Sequence, residues 1–240
     1  MERNFCVAVT RPVEQSADLV ARLQALGADV LVAPTIACAP AADPQLLLAA
    51  LADRPDLLVL TSASAVAALV ATGAPLAGVR VAAVGPATAA AARAAGMVVV
   101  AVPPVAQASA LPAALGELGG LRILLPQADL ADGTLAQALR SQGAEVCTVV
   151  AYRTVAGPGV ALLREPLRAS EVLAITFASG SAARFLVAGL GAEAHTLLAG
   201  VALVCIGPAT AAVVAHCGLR VAAVAATPDA AGLAAAVGLA

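Results

Sequence analysis

Lysine is absent: all 13 basic residues are arginine. P-loop phosphate binding and Schiff-base catalysis both need a lysine, so both are excluded. Aromatic side chains make up 2% of the chain, with no tryptophan and a single tyrosine, Tyr152. Charge is scarce as well, at 12% of residues with a formal net charge of −2 and no basic run. Nucleic acid is therefore not expected as a partner, because that surface needs clustered cations and stacking aromatics. The five cysteines, Cys6, Cys38, Cys147, Cys205 and Cys217, are odd in number and form no Cys-x-x-Cys pair. Four lie in or beside apolar runs, which predicts reduced core residues in a cytoplasmic protein. The opening stretch, MERNFCVAVTRP, has too short an apolar run for a signal peptide.

Uninterrupted bilayer-length spans are also missing, although 61% of residues are hydrophobic and the mean hydropathy is +0.95. Three stretches lack charge for about the length of a span: 57–79, 94–116 and 196–215. Pro75 breaks the first, Pro103, Pro104 and Pro112 the second, and Gly207-Pro208 the third. Much of the apolar count is alanine, a strong helix former and a weak hydrophobe. The reading is an alanine-rich soluble protein without a membrane partner. Its 240 residues suffice for one large or two small domains.

What is present is strict alternation of short apolar runs and helical stretches. Strands are expected at 5–9, 30–33, 57–60, 79–84, 98–102, 122–125, 146–150, 172–177, 202–206 and 220–225. Most are continuous apolar runs, as in strands buried on both faces of a parallel sheet. A helix over 14–26 places Leu19, Leu23 and Leu26 on one face, with Gly27 as its stop. A second over 133–142 has Asp132 at its start, Leu135 and Leu139 facing inward, and Gly143 at its end. This alternation is the signature of a doubly wound α/β protein.

The pattern occurs twice. RLQALGADVLVAP at 22 resembles ALRSQGAEVCTVV at 138, TSASAVAAL at 61 resembles ASGSAARFL at 178, and GPAT recurs at 85 and 207. The offsets are 116, 117 and 122 residues, in the same order along the chain. Two similar α/β halves fit this better than one ten-stranded sheet. Seams are expected at 35–44 and 152–158, where polar and proline residues follow strands. The residues alone allow either a first domain completed by the C-terminal part or sequential halves divided near residue 120.

In parallel α/β sheets ligands bind beyond the carboxyl ends of the strands. The residues there include Thr10-Arg11-Pro12, Thr61-Ser62-Ala63-Ser64, Gly85-Pro86-Ala87-Thr88 and Pro126-Gln127. Further along come Ala178-Ser179-Gly180-Ser181 and Gly207-Pro208-Ala209-Thr210. Hydroxyls and helix-start N–H groups dominate, and such groups hold carboxylates or phosphates without lysine. Thr88 and Thr210 have two readings, as donors to a ligand or as caps of their own helices. Ser62, Ser64, Ser179 and Ser181 divide in the same way.

Other patterns are missing. No Gly-x-Gly-x-x-Gly follows a strand, no Gly-x-Ser-x-Gly elbow occurs, and His195 and His216 stand without ligand spacing. Neither a metal nor a cofactor is expected. Tyr152 falls at a seam, where a phenol either donates a proton to a bound ligand or packs as an amphipathic linker residue.

Taken in order, VAVTRP at 7, LVLTSASAV at 58, AAVGPATAAAARAAG at 82, GAEVCTVVAYRT at 143, ITFASGSAARFL at 175 and VCIGPATAAVVAHCG at 204 resemble the uroporphyrinogen-III synthase family. The resemblance runs nearly the full length. It implies two flavodoxin-like, doubly wound parallel-sheet α/β domains joined by a two-stranded connector. The first domain is then discontinuous, 1–34 with 157–240, the second is 45–149, and 35–44 and 150–156 are connector strands. Also implied is a cofactor-free, cyclising lyase acting on hydroxymethylbilane, a linear tetrapyrrole with eight carboxylates; a monomer is the default expectation. Loss of its hydroxyl gives an azafulvene, the substituted carbon of ring D attacks to form a spiro intermediate, and reclosure inverts ring D to give uroporphyrinogen III.

By the same resemblance Tyr152 assists departure of the hydroxyl at a cleft between the domains. Thr88, Thr210, Ser62, Ser179 and Ser181 match hydroxyl positions at its edge. Gly85, Gly207 and Ser64 share those turns, and Arg11 is the cation placed nearest a carboxylate. Many members have Pro-Arg-Gly where this chain reads Pro126-Gln127-Ala128, which replaces a charged carboxylate partner by the neutral Gln127. The other reading of the same turns is a non-catalytic tetrapyrrole- or anion-binding sensor.

Overall fold

A computed structural model of the chain describes residues 5–105 and 107–238. Residues 1–4, 106 and 239–240, which fall inside the expected domains, lie outside the described residues. In chain order the elements begin with β1 (Cys6–Val9), α1 (Ala17–Ala25), β2 (Asp29–Val32), β3 (Ile36–Pro40), α2 (Gln45–Ala52), β4 (Leu57–Leu60) and α3 (Ala63–Ala71). Then follow β5 (Arg80–Ala83), α4 (Pro86–Ala94), β6 (Val98–Ala101), α5 (Leu111–Leu115), β7 (Arg122–Ala128), α6 (Thr134–Ser141) and β8 (Glu145–Ala156). The last are α7 (Gly159–Arg168), β9 (Val172–Phe177), α8 (Gly180–Leu190), α9 (Ala194–Leu198), β10 (Ala202–Cys205), α10 (Pro208–His216), β11 (Val221–Val224) and α11 (Ala230–Val237).

The chain divides into two compact units, Met1–Ala37 with Val155–Ala240, and Cys38–Thr154. The first unit has a five-stranded sheet in the order β11-β10-β9-β1-β2, every pair parallel. Counted along the chain this is the 2-1-3-4-5 order of flavodoxin-like sheets. The second unit has six strands in the order β3-β8-β7-β4-β5-β6. With edge strand β3 set aside, the remaining five read 3-2-1-4-5 or its mirror by numbering, and their pairs are parallel.

The two orders are one arrangement threaded from different starting strands. Pairing β9, β10, β11, β1 and β2 with β4, β5, β6, β7 and β8 makes the sheets identical in sequence of neighbours. The internal repeats obey that pairing. The repeat at 22 and 138 is α1–β2 against α6–β8, and the GPAT repeat is the start of α10 against the start of α4.

Each sheet is covered on both faces, so its strands are apolar at every position instead of alternating. In the first unit Ala8, Ile175, Phe177, Leu203 and Cys205 join one buried cluster, while Val7, Val9, Ala174 and Val204 join another. In the second, Leu58, Leu60, Val81 and Leu124 separate in the same way from Leu57, Val59, Ala82 and Ile123. The helices supply the other half of each cluster. Leu19 and Leu23 of α1 are fully buried, whereas Leu26, expected on the same face, is 51% exposed because α1 ends one residue before it.

All ten expected strands form, and the structure lengthens two of them. β7 continues through Pro126 and Gln127 to Ala128 instead of stopping at residue 125. Its pairing with β4 ends at Leu124, so beyond that point it is bonded on one side only and tolerates a proline. β8 runs twelve residues, so the strand expected at 146–150 and the connector strand expected at 150–156 are one continuous strand that carries Tyr152. The eleventh strand, β3, forms from IACAP and lies beside β8 at the sheet edge. The cysteines are less uniformly core than expected. All five are free, but Cys205 is buried, Cys6 and Cys217 are half-buried, and Cys38 and Cys147 are exposed.

Candidate functional site

Doubly wound sheets create a crevice where helices leave on opposite faces, beyond the carboxyl ends of two neighbouring strands. In the first unit that switch lies between β1 and β9, and in the second between β7 and β4. At the first switch Thr10 is fully buried and donates to the carbonyl of Thr176 at 2.7 Å, while Thr176 donates to the carbonyl of Ala8 at 3.2 Å. This reciprocal pair locks β1 to β9 and leaves neither hydroxyl for a ligand. Arg11, the next residue, is half-buried; its carbonyl accepts from Ser16 Oγ at 3.3 Å, and its guanidinium forms no hydrogen bond or ion pair among the described residues. Burial pulls its guanidinium below the usual arginine range, and the carboxylate of Asp18 opposes that shift.

Two serines play matching parts in the two units. Ser62 begins α3 with φ −153° and ψ 156°, and its Oγ accepts the N–H of Ala65 at 3.1 Å. Ser179 begins α8 with φ −156° and ψ 152°, and its Oγ accepts the N–H of Ala182 at 3.3 Å. Both are N-caps, so the structural reading holds for them. It fails for the two threonines. The N-caps of α4 and α10 are Gly85 and Gly207, each in extended backbone and followed by proline at the first helical position. Thr88 and Thr210 are the third residues of those helices, only 6% and 7% exposed, and neither hydroxyl is hydrogen-bonded among the described residues. No fully buried side-chain polar atom lacks a partner among the described residues. The two hydroxyls therefore keep contact with solvent, beside first-turn N–H groups that helix geometry leaves unpaired.

Tyr152 is held along its whole length. The Asp129 N–H donates to its carbonyl at 3.1 Å, and Asp129 Oδ1 accepts the next-but-one N–H, that of Thr154, at 2.9 Å. The ring packs against the cluster that contains Leu58, Leu60, Val66 and Ala151. Its hydroxyl lies 3.0 Å from Ser62 Oγ. Burial pushes the phenol above the ordinary tyrosine range, Cys38 and Asp129 add to the rise, and the hydrogen bond with Ser62 opposes it.

Beside Tyr152 lies a pocket of about 290 Å³ lined by Cys38, Pro40, Leu47, Ser64 and Ala68 among others. Cys38 Sγ donates to Ser64 Oγ at 3.3 Å. Sequence reasoning missed Cys38 here, since the run IACAP gives no sign that its thiol meets the first turn of α3. Ser181 and Gln127 are half-buried, and neither side chain is hydrogen-bonded among the described residues. The structure thus brings Ser62, Ser64 and Tyr152 together in the second unit, where Gly85, Thr88 and Gln127 also lie. Arg11, Ser179, Ser181, Gly207 and Thr210 belong to the first.

Such a protein is, by class, a doubly wound α/β protein whose strand ends present hydroxyls, an arginine and helix N-termini, groups of the kind that can hold anions. Comparisons with known proteins carry this further. The family described as uroporphyrinogen-III synthase HemD matches residues 17–235. A putative uroporphyrinogen-III synthase of Methanothermobacter thermautotrophicus is 34% identical over 185 residues, 72% of this chain and 73% of that protein. A uroporphyrinogen-III synthase of Synechococcus elongatus is 32% identical over 222 residues, 85% of this chain and 83% of that protein. Among solved structures, a mutant uroporphyrinogen III synthase of Thermus thermophilus has a TM-score of 0.64 at 25% identity, covering 98% of each chain. The uroporphyrinogen-III synthetase of Helicobacter pylori shares the fold at a TM-score of 0.64 and 18% identity, covering 99% of this chain and 100% of that one. The chain belongs to the uroporphyrinogen-III synthase family.

Proposed function

We propose that the protein closes hydroxymethylbilane to uroporphyrinogen III with inversion of ring D, as a cyclising lyase. Family membership and the names of its relatives support that activity. The observation that carries the chemistry is the 3.0 Å contact between the Tyr152 hydroxyl and Ser62. Tyr152 gives its proton to the hydroxyl of the substrate, the carbon–oxygen bond breaks as the pyrrole nitrogen pushes in its electron pair, and water leaves. The cationic azafulvene is then attacked by the substituted carbon of ring D. The spiro intermediate fragments and recloses, and the proton released when the last ring regains aromaticity restores the phenol.

Strong nucleophiles would intercept such a cation; the proposed substrate contacts are hydroxyls, an amide and a guanidinium, and the Cys38 thiol beside them donates to Ser64 Oγ. Burial keeps Tyr152 in its protonated, donating form at neutral pH. Arg11, Thr88, Thr210 and the first-turn N–H groups of α4 and α10 take the carboxylates, work that oriented dipoles and one guanidinium perform without lysine. Ser64, Ser181 and Gln127 add neutral hydrogen bonds. Five free thiols fit a reducing compartment, the cytoplasm, and the protein acts there as a monomer.

The test uses a reaction with its own control. Hydroxymethylbilane left alone closes to the symmetric type I isomer. Added protein is expected to convert freshly generated substrate to the type III isomer, resolved by chromatography after oxidation. Type I alone, from folded protein, overturns the proposal.

A further inference from the structure

We infer that Ser62 is a positioning residue for Tyr152: it relays the electropositive end of α3 to the phenol and keeps the phenolic proton free for the substrate. Either hydroxyl can donate across the Ser62–Tyr152 contact; in the relay the donor is Ser62. Ser62 Oγ already accepts the Ala65 N–H at 3.1 Å. Donation of its own proton to the Tyr152 oxygen at 3.0 Å then forms a chain from Ala65 N–H through Ser62 O–H to the phenol. Each donor in such a chain polarises the next. The N-terminal end of a helix carries a partial positive charge, so the chain stabilises the phenolate left when Tyr152 gives up its proton. The reverse direction would tie that proton to Ser62 and withdraw it from the reaction.

The other unit supplies a comparison within the same molecule. Ser179 has the same capping geometry on α8, but residue 36, which stands 116 positions before Tyr152 in the repeat, is isoleucine. Ser179 has no phenol to act on. A serine that only caps a helix is thus present in one unit, and a serine that caps and also meets a tyrosine is present in the other. Burial raises the Tyr152 phenol and the hydrogen bond with Ser62 opposes that rise.

The chain holds one tyrosine and no tryptophan, so phenolate absorbance reports Tyr152 alone and needs no substrate. Ser62→Ala is expected to make Tyr152 titrate at higher pH than in the parent protein, and Ser62→Thr to leave it near the parent value. Ser62→Gly, a good N-cap without a hydroxyl, repeats the alanine result if that variant folds poorly. Ser179→Ala loses a cap and leaves the titration where it was, because cap loss alone does not reach the phenol. An unmoved titration in folded Ser62→Ala and Ser62→Gly overturns the inference.

The kinetic part rests on the synthase reading and fails separately. Type III formation in Ser62→Gly is expected to lose about tenfold in kcat with KM held within about twofold, the loss of one charge-assisted hydrogen bond in the transition state. A shifted titration with unchanged kcat upholds the Ser62–Tyr152 relay and removes Tyr152 from the reaction.

Discussion

The Tyr152 hydroxyl sits 3.0 Å from the oxygen of Ser62, which in turn caps α3. A half-buried phenol is thereby joined to the start of a helix, and its ionisation becomes a property of the fold. Burial favours the uncharged form, so Tyr152 titrates above its ordinary value of 10.0 in the native state. A group whose native value is raised contributes stability below its unfolded value and loses it as pH climbs through the native one. Stability therefore declines above about pH 10. Absorbance titration of the single tyrosine, native and in denaturant, checks this: coincident curves would contradict it.

Thr88 and Thr210 occupy the third positions of α4 and α10, and the caps of those helices are glycines. Thr88→Val and Thr210→Val are thus expected to leave thermal stability within about 0.5 kcal/mol of the parent. Each raises KM for hydroxymethylbilane by about tenfold, the worth of one hydrogen bond to a carboxylate. Unchanged KM with a lowered melting temperature would return both residues to a structural role.

Arg11 is charged and half-buried, with its guanidinium disfavoured by that burial. Removing such a group relieves a desolvation cost, so Arg11→Gln is expected to hold or raise the melting temperature while KM increases. The opposite pairing, a less stable protein with unchanged KM, would make Arg11 a structural residue. Melting curves and steady-state kinetics on the same preparation decide it.

Gly157 and Gly159 approach the strand-end backbone that follows β2. The Gly157 N–H donates to Thr35 at 3.0 Å and the Gly159 N–H to Pro34 at 2.7 Å. A Cβ on Gly159 would run into the carbonyls of Ala33 and Pro34, neither of which is a flexible side-chain end. Gly159→Ala is expected to cost at least about 2 kcal/mol, a fall of several degrees in melting temperature for a chain of this size. A melting temperature equal to the parent's would refute this close approach.

Much of the fold was legible because both faces of each sheet are buried, which makes strands such as LLVL at 57 continuous apolar runs. The helix stops were equally plain: Gly27 and Gly143 adopt φ of +83° and +87°, conformations that favour glycine. The fourth residue of GPAT was ambiguous, since a threonine there has the composition of a cap, and only the backbone assigns that part to glycine. β3 was illegible as a strand from its residues because IACAP is short and ends in proline. Gln127 was read as lying past a strand that in fact includes it, because a proline within an apolar run usually marks its end. The Ser62–Tyr152 contact joins residues 90 apart, and no local pattern reports a pairing at that separation.

The measurement that bears most directly on the account is the rate of type III formation by Tyr152→Phe, with freshly generated hydroxymethylbilane. Phenylalanine keeps the ring and its packing and removes only the hydroxyl. A fall in kcat of about a hundredfold or more, with little change in KM, is predicted for loss of a general acid. Type III isomer formed at the parent rate would contradict the assignment of Tyr152 as the proton donor.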